Sequence, residues 1–583
     1  MTSVQRMTNA YFYVHTCLMV LAMGGPTVAT FTSNIEWAIK VGGASNDYGF
    51  GIVSDGADGS MVTGTFKRAI AFGSTTLTGN GQLFVMHANR SGAITWAIQT
   101  DGVFPQIALG LSGSTLVTGH FSGTSMFGTE SLASVAAWSL FVMRVSSTGA
   151  IEWLTQAGGT SNNWGSKDIV SDGMGGAFVV GSFEGTASFG AIQLISIGDR
   201  DTFIMHINST GFIDWAIREG GTGEDQAYGI ASDSAGLFVT GTFSDTVSFS
   251  SGTSFSASGG NIFVMHVSRA GVAEWTIQMG ASQGAGQGIE VDGLGALVTG
   301  SFIGSATFGS IVLISSGASD AFVVRVSSAG TVEWAIQAGG TGHDDGTGLA
   351  SDGIGGALVT GTFEGTITLG NTYSLISDDG SEDIFFMHVS SAGVVDWAMK
   401  SGGAGADISR SIASGSGHVL VTGSFESLAS FGNSSLTSAG REDVFVVRLA
   451  LPPVSSPPPG VPPLPVQSPM PQAPLHSPSA PPPSPPSGAI IEMTGDAPKI
   501  VFGSLESPVC DLTLNRAIGG LQSSCAISTP AAYGGRRLGD FDESPYQSFK
   551  SELRTLREEV VELRRIVRGL EMKNADQDEF QGT

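Results

Sequence analysis

The sequence predicts an all-β fold, a seven-bladed β-propeller, and three interleaved markers predict it. Tryptophan recurs at Trp37, Trp96, Trp153, Trp215, Trp275, Trp334 and Trp397, with spacings of 59, 57, 62, 60, 59 and 63 residues. A Val-Thr-Gly-Thr-Phe pattern ends at Phe66, Phe121, Phe183, Phe243, Phe302, Phe363 and Phe425. A Phe-Val-Met-His pattern, or a close variant, begins at Phe84, Phe141, Phe203, Phe263, Phe322, Phe385 and Phe445. A fixed period of this length marks a repeat architecture in which each unit is one supersecondary element.

Each unit reads as four strands. In residues 346–400, Gly346-Thr-Gly-Leu-Ala-Ser-Asp352 is a short strand of small residues, suited to a crowded inner end. Gly353–Gly356 turns the chain, and Ala357–Phe363 is rich in β-branched residues. After a loop, Ile384–Val389 is a third strand; Ser391-Ala-Gly393 turns, and Val394–Met399 returns. Four strands joined by glycine-rich turns are the grammar of a propeller blade. The seventh unit ends at Phe445–Leu449 without a Trp strand, while Ile35–Ile39 is a Trp strand without a unit. The amino-terminal strand is therefore expected to complete the last blade, with Trp37 beside Phe445–Arg448. Closure removes sheet edges that would otherwise recruit other chains.

The unit resembles the seven-bladed propeller repeats of secreted bacterial proteins, often called SBBP repeats. The matching residues are Trp334–Thr341, Leu349–Gly353, Val359–Phe363 and Asp383–Phe386, and the resemblance covers residues 35 to 448. It implies architecture. It transfers no catalytic residue.

His87, His206, His266 and His388 share one repeat position with Arg144, Arg325 and Arg448. A basic residue on each outer hairpin cannot converge on one ion, so a structural ladder is expected. A three-residue turn with left-handed glycine would pair residues eight apart. Arg144 then faces Glu152, Arg325 faces Glu333, His388 faces Asp396 and, through closure, Arg448 faces Glu36. The Gly-Gly pairs after the Trp strands have no following helix to form a phosphate site, so they read as connections between blades. Acidic residues near them read first as turn caps. Asp344 and Asp345 are the best local candidates for calcium, through carboxylates and carbonyls. No other cofactor is expected. Eight-bladed quinone-dependent dehydrogenases share the turn-then-Trp texture, but they usually carry calcium and adjacent cysteines. With no nucleophile elbow or zinc motif either, the expectation is that the chain is not an enzyme.

Composition bounds the rest. The chain has 583 residues, 51 acidic against 26 basic, and a formal charge of −25, which excludes a phosphate backbone as the natural partner. Residues 1–29 read as a signal peptide with a short apolar core; an uncleaved signal anchor is the alternative. The propeller spans 30–450. Residues 451–488 are a proline-rich linker, expected as an extended stalk like those of algal and plant wall glycoproteins. Residues 489–543 are expected as a small, partly disordered segment holding Cys510 and Cys525, which are expected as a disulfide in an oxidising compartment. Residues 544–574 read as a coiled-coil helix capped by Ser544-Pro545 and carrying a heptad from Tyr546 to Leu570, which implies a homo-oligomer. Residues 575–583 are an expected disordered tail. Sequons stand at Asn89, Asn208 and Asn433.

The expected function is a secreted or cell-surface binding or scaffold module for protein or glycan. A channel enzyme and a purely structural wall or matrix protein are the alternatives. Convergent polar side chains at the channel mouth would favour the enzyme, and smooth Gly/Ser faces the scaffold.

Overall fold

A computed structural model describes residues 35–159, 165–370, 372–451 and four strands between 490 and 525. The expected signal peptide, proline-rich linker, coiled coil and disordered tail lie outside the described residues. The fold is all-β and propeller-like. Among the described residues the only helical element is the 3₁₀ turn Leu111–Gly113, and no helix is long and apolar enough to cross a membrane.

Four antiparallel strands recur through residues 35–451. In the first unit they are Tyr48–Ser54, Ser60–Phe72, Thr75–Ala88 and Ile94–Thr100, each paired with the next. We term these positions inner, second, third and outer. The seventh unit takes inner Asp407–Gly415, second His418–Phe431 and third Ser434–Ala450 from the end of the repeat region. Its outer strand is Ile35–Val41, paired antiparallel with Trp37 opposite Arg448 and Val41 opposite Val444. Each inner strand lies against the next, and the last lies against the first. The hydrogen bond from Ile52 N–H to Ser411 Oγ, 3.2 Å, crosses that seam.

The repeat motifs have physical causes. In Val-Thr-Gly-Thr-Phe, the threonine hydroxyl donates to the carbonyl of the third-strand phenylalanine: Thr118 to Phe141 at 2.9 Å, Thr240 to Phe263 at 2.9 Å and Thr422 to Phe445 at 2.8 Å. The glycine gives room on both sides. A Cβ on Gly361 would sit 2.1 Å from the Asp345 carbonyl oxygen and 2.4 Å from the Phe385 ring. The closing phenylalanine is buried between sheets. Cores form between neighbouring units rather than within one. Ile52, Val62 and Phe84 of the first share a cluster with Val41, Leu420, Val444 and Val446 of the last.

The tryptophan joins units as well. Its indole N–H donates to a carbonyl in the next unit's outer turn: Trp37 to Arg90 at 2.9 Å, Trp96 to Ser147 at 3.0 Å and Trp334 to Ser391 at 3.0 Å. The turn glycine lies under the ring, with Gly92, Gly149 and Gly393 within van der Waals reach of Trp37, Trp96 and Trp334. The Gly-Gly pairs fasten a third link, because the outer strand's end pairs with a hairpin arm of the next unit. Gly339 faces Thr368, and Gly403 faces Ala429. At Gly340 a Cβ would meet the Thr366 carbonyl at 1.7 Å, so the second glycine is dictated by backbone approach.

One expectation is corrected. The outer hairpin does not pair residues eight apart. Arg144 lies opposite Trp153, Arg325 opposite Trp334 and His388 opposite Trp397, with a register shift before the next pair. The acid before each of these three tryptophans is the extra residue of a β-bulge. Acid and indole can then address the same basic side chain. His388 bonds Asp396 at 3.0 Å while its ring stacks on Trp397 at 6.0 Å.

The carboxyl-terminal unit is an antiparallel sheet of Ile490–Thr494, Ala497–Ser504, Ser507–Asn515 and Gly520–Cys525, in sequence order. No strands were expected there. Cys510 and Cys525 are directly opposite in register.

Candidate functional site

The inner strands share a second irregularity, and it builds the site. Each carries one residue more than its partner at the same place. Register skips Phe50, Lys167, Tyr228, Gln287, Thr347 and Arg410 in six units. In the second unit the skip spans Phe104-Pro105. A bulge frees a side chain from the ladder and re-aims it. Here it makes a ring of seven residues of unlike chemistry, at the end of the inner strands reached from the preceding unit. Lys167, Tyr228, Gln287, Thr347 and Arg410 line a cavity of about 880 Å³ walled by all seven inner strands.

In chain order the ring reads Phe50, Phe104, Lys167, Tyr228, Gln287, Thr347, Arg410. Because the last inner strand adjoins the first, Arg410, Phe50, Phe104, Lys167 and Tyr228 form one continuous arc. Contacts run along it. The Arg410 guanidinium lies 5.2 Å from the centre of the Phe50 ring and 5.8 Å from that of Tyr48. Phe50 meets Phe104 edge-on at 5.7 Å. The Lys167 ammonium lies 5.7 Å from the centre of the Tyr228 ring. Phe104 is 57% exposed, with φ at +52°. That positive φ is a strained backbone conformation for a non-glycine residue.

Electrostatics set the arc apart from an acidic chain. Burial, then nearby Arg200, holds the Lys167 ammonium below its usual range. Burial likewise lowers Arg410, against the attraction of Glu442. Glu442 is already engaged, accepting from Tyr48 Oη at 2.7 Å and Asn46 Nδ2 at 2.6 Å. Arg410 Nε is a buried donor without a hydrogen-bond partner among the described residues. Two acids also line the wall. Burial pushes Asp168 and Glu290 up to about 7. Asp168 is committed to structure, accepting from Ile169 N–H at 2.8 Å and, across units, Ile230 N–H at 3.0 Å.

The residues singled out in the sequence fall elsewhere. Arg144 meets Glu152 at 2.8 Å, Arg325 meets Glu333 at 2.8 Å and Arg448 meets Glu36 at 2.6 Å, all on outer hairpins. Arg325 also bonds Asp292 at 2.7 Å, and His388 bonds Asp352 at 3.0 Å, so each links the outer hairpin to the turn after an inner strand. Asp344 is fully buried and accepts the Gly340 N–H at 2.6 Å. No group of three or more His, Cys, Asp or Glu among the described residues could hold a metal, so Asp344 and Asp345 are not brought together with further ligands of those types. Asn89 and Asn208 cap outer turns, each accepting two backbone N–H bonds at 3.0–3.2 Å. Ser146, Ser268, Ser327 and Ser390 do the same work at that position. Asn433 is exposed at a hairpin tip. The ring of bulged residues was not found from sequence. Its signal is faint: one large or polar residue amid Gly, Ala and Ser, as in Ala227-Tyr-Gly229 and Gly286-Gln-Gly288.

No family model matches the chain. No curated protein sequence matches it. Solved structures do resemble it. Quinohemoprotein alcohol dehydrogenase from Comamonas testosteroni is 10% identical, with a TM-score of 0.34, over 74% of this chain and 79% of that one. Phage phi92 endosialidase is 9% identical, with a TM-score of 0.33, over 88% and 90%. A Synechocystis apocarotenoid oxygenase mutant is 9% identical, with a TM-score of 0.30, over 62% and 93%. Likeness at this level carries no function, and the reading below rests on the strand pairing and the ring.

Proposed function

We propose that this chain is a secreted or cell-surface binding module for protein or glycan. Its seven units, SBBP-like in sequence, are the blades of a closed propeller. A disulfide joins Cys510 to Cys525, the proline-rich segment is a stalk, and coiled-coil pairing of 544–574 adds avidity. The observation that carries the reading is the ring of bulged residues, five of which line the cavity. Smooth scaffold faces need no such ring. The ring offers stacking faces, cations and amide groups, which is the equipment of recognition.

A channel enzyme is the second reading, and Asp168 and Glu290 favour it, since carboxyls raised to about 7 are poised for proton transfer. Binding fits better because Asp168 already spends its oxygens on backbone amides. The test is capture from glycan and secretome panels by the full chain, beside Phe104→Ala and Arg410→Gln. A retained ligand lost in both variants supports the reading. Capture indifferent to both contradicts it. Chemical turnover of the retained ligand, abolished by Glu290→Gln, would establish the enzyme instead.

A further inference from the structure

We infer that the arc from Arg410 to Tyr228 takes a carboxylated saccharide, an inference that rests on the binding reading above. The arc sets two cations on either side of two phenylalanines. An occupant must therefore offer an anionic group near an apolar face, more than once or at both ends. A sugar ring has such a face in its axial C–H bonds, which pack on aromatic rings. Phe104, 57% exposed, is free to serve as that platform.

The anion follows from Arg410. Its guanidinium packs on the Tyr48 and Phe50 rings, 5.8 and 5.2 Å from their centres, and the two rings, 6.3 Å apart, lie on the same side of it. Its Nε is a buried donor with no hydrogen-bond partner among the described residues. A guanidinium edge matches a carboxylate in bidentate fashion. Lys167, on the cavity wall, is a second cation, and it forms no ion pair with a carboxylate among the described residues. The opposite arc, Gln287 and Thr347, supplies donors and acceptors suited to hydroxyls. A long, dense polyanion is disfavoured, because the chain carries −25 overall and would repel it. A short carboxylated saccharide meets the local cations without that cost.

The probe is a galacturonic acid trimer, compared with the same trimer methyl-esterified, by calorimetric titration into the full chain. The acid trimer should bind and the ester at least tenfold more weakly. Arg410→Gln and Lys167→Gln should each weaken the acid trimer about tenfold, the size of one lost charge-assisted bond, and should weaken the ester by less. Phe104→Ala, at an exposed side chain, should weaken both. An ester that binds as tightly as the acid through Phe104 overturns the anionic class while the binding reading stands. Failure of the acid trimer to bind overturns the inference. Should the capture panels also return nothing that depends on the ring, the binding reading falls with it.

Discussion

At the residue scale, the repeat motif is a record of close approaches. The glycine of Val-Thr-Gly-Thr-Phe lies where the inner strand's carbonyl and the third strand's phenylalanine both press on its Cα. Gly361→Ala should lower stability by about 1–3 kcal/mol, an overpacking cost, measured by urea unfolding. Gly56→Ala meets nothing within 4 Å and costs only its positive φ of 77°. It should lose about 1 kcal/mol. Equal losses at the two sites would contradict the steric account. The sequence displayed these glycines but not their reason, because the atoms they avoid belong to other strands. The basic position shows the same limit. The pairing of Arg325 with Glu333 was legible from spacing, whereas the bulge that also places Trp334 opposite was not. A turn rule fixes which residues face each other only while the ladder is regular.

At the element scale, three links join each unit to the next: the tryptophan on the outer turn, the arm paired to the Gly-Gly segment, and the inner-strand bond. Links between neighbouring sheets leave little to hold a unit by itself, as expected of repeat folds. The strand Ile35–Val41 takes part in this from the other end of the sequence. Its removal should bare the Ser434–Ala450 edge and uncover Val444 and Val446, which are fully buried. The shortened chain should melt at lower temperature and associate through that edge, read by scanning calorimetry and light scattering. An unchanged melt and a monodisperse chain would mean that the strand contributes nothing. Closure was legible in the sequence because one Trp strand was surplus at the start and one was missing at the end. The functional ring was not. A bulge displaces one residue without altering hydrophobic periodicity, so a short Gly/Ala/Ser strand reads alike with or without it.

At the scale of the whole molecule, acidity is partly buried. Asp47, Asp225, Asp344 and Asp407 sit at the junctions between units, almost fully enclosed. Burial pushes each up to about 7, helped by a neighbouring aspartate: Asp443, Asp201, Asp320 and Asp383 respectively. A basic side chain stands at three of these pairs: Lys40 bonds Asp443 at 3.2 Å, Arg218 bonds Asp201 at 2.7 Å and Lys400 bonds Asp383 at 3.0 Å. At the fourth, Gln337 bonds Asp320 in their place. A carboxyl whose folded pKa exceeds its unfolded value of about 4 takes up a proton on folding between those values. The stability it contributes is complete below about pH 4 and is lost as pH rises through 7. Asp55 and Asp352 act the other way. Burial alone would raise them, but bonds from His87 and His388 and from turn amides hold them low, and their contribution is lost in stronger acid. The melting temperature should therefore be higher near pH 5 than at pH 8. Asp344→Asn should raise the pH 8 value and flatten the slope. A melting temperature that climbs from pH 5 to pH 8 would contradict the protonated junctions.

Ring closure underlies all of this, and a cysteine pair across the seam tests it most directly. Ala38 and Val447 are register partners in the joined strands. With the native cysteines replaced, Ala38→Cys/Val447→Cys should oxidise readily. After proteolysis at a site inserted at the 251–253 turn, the two fragments should migrate together on a denaturing gel until reductant is added. Fragments that separate without reductant, from a chain whose thiols remain free, would show that the two ends never meet.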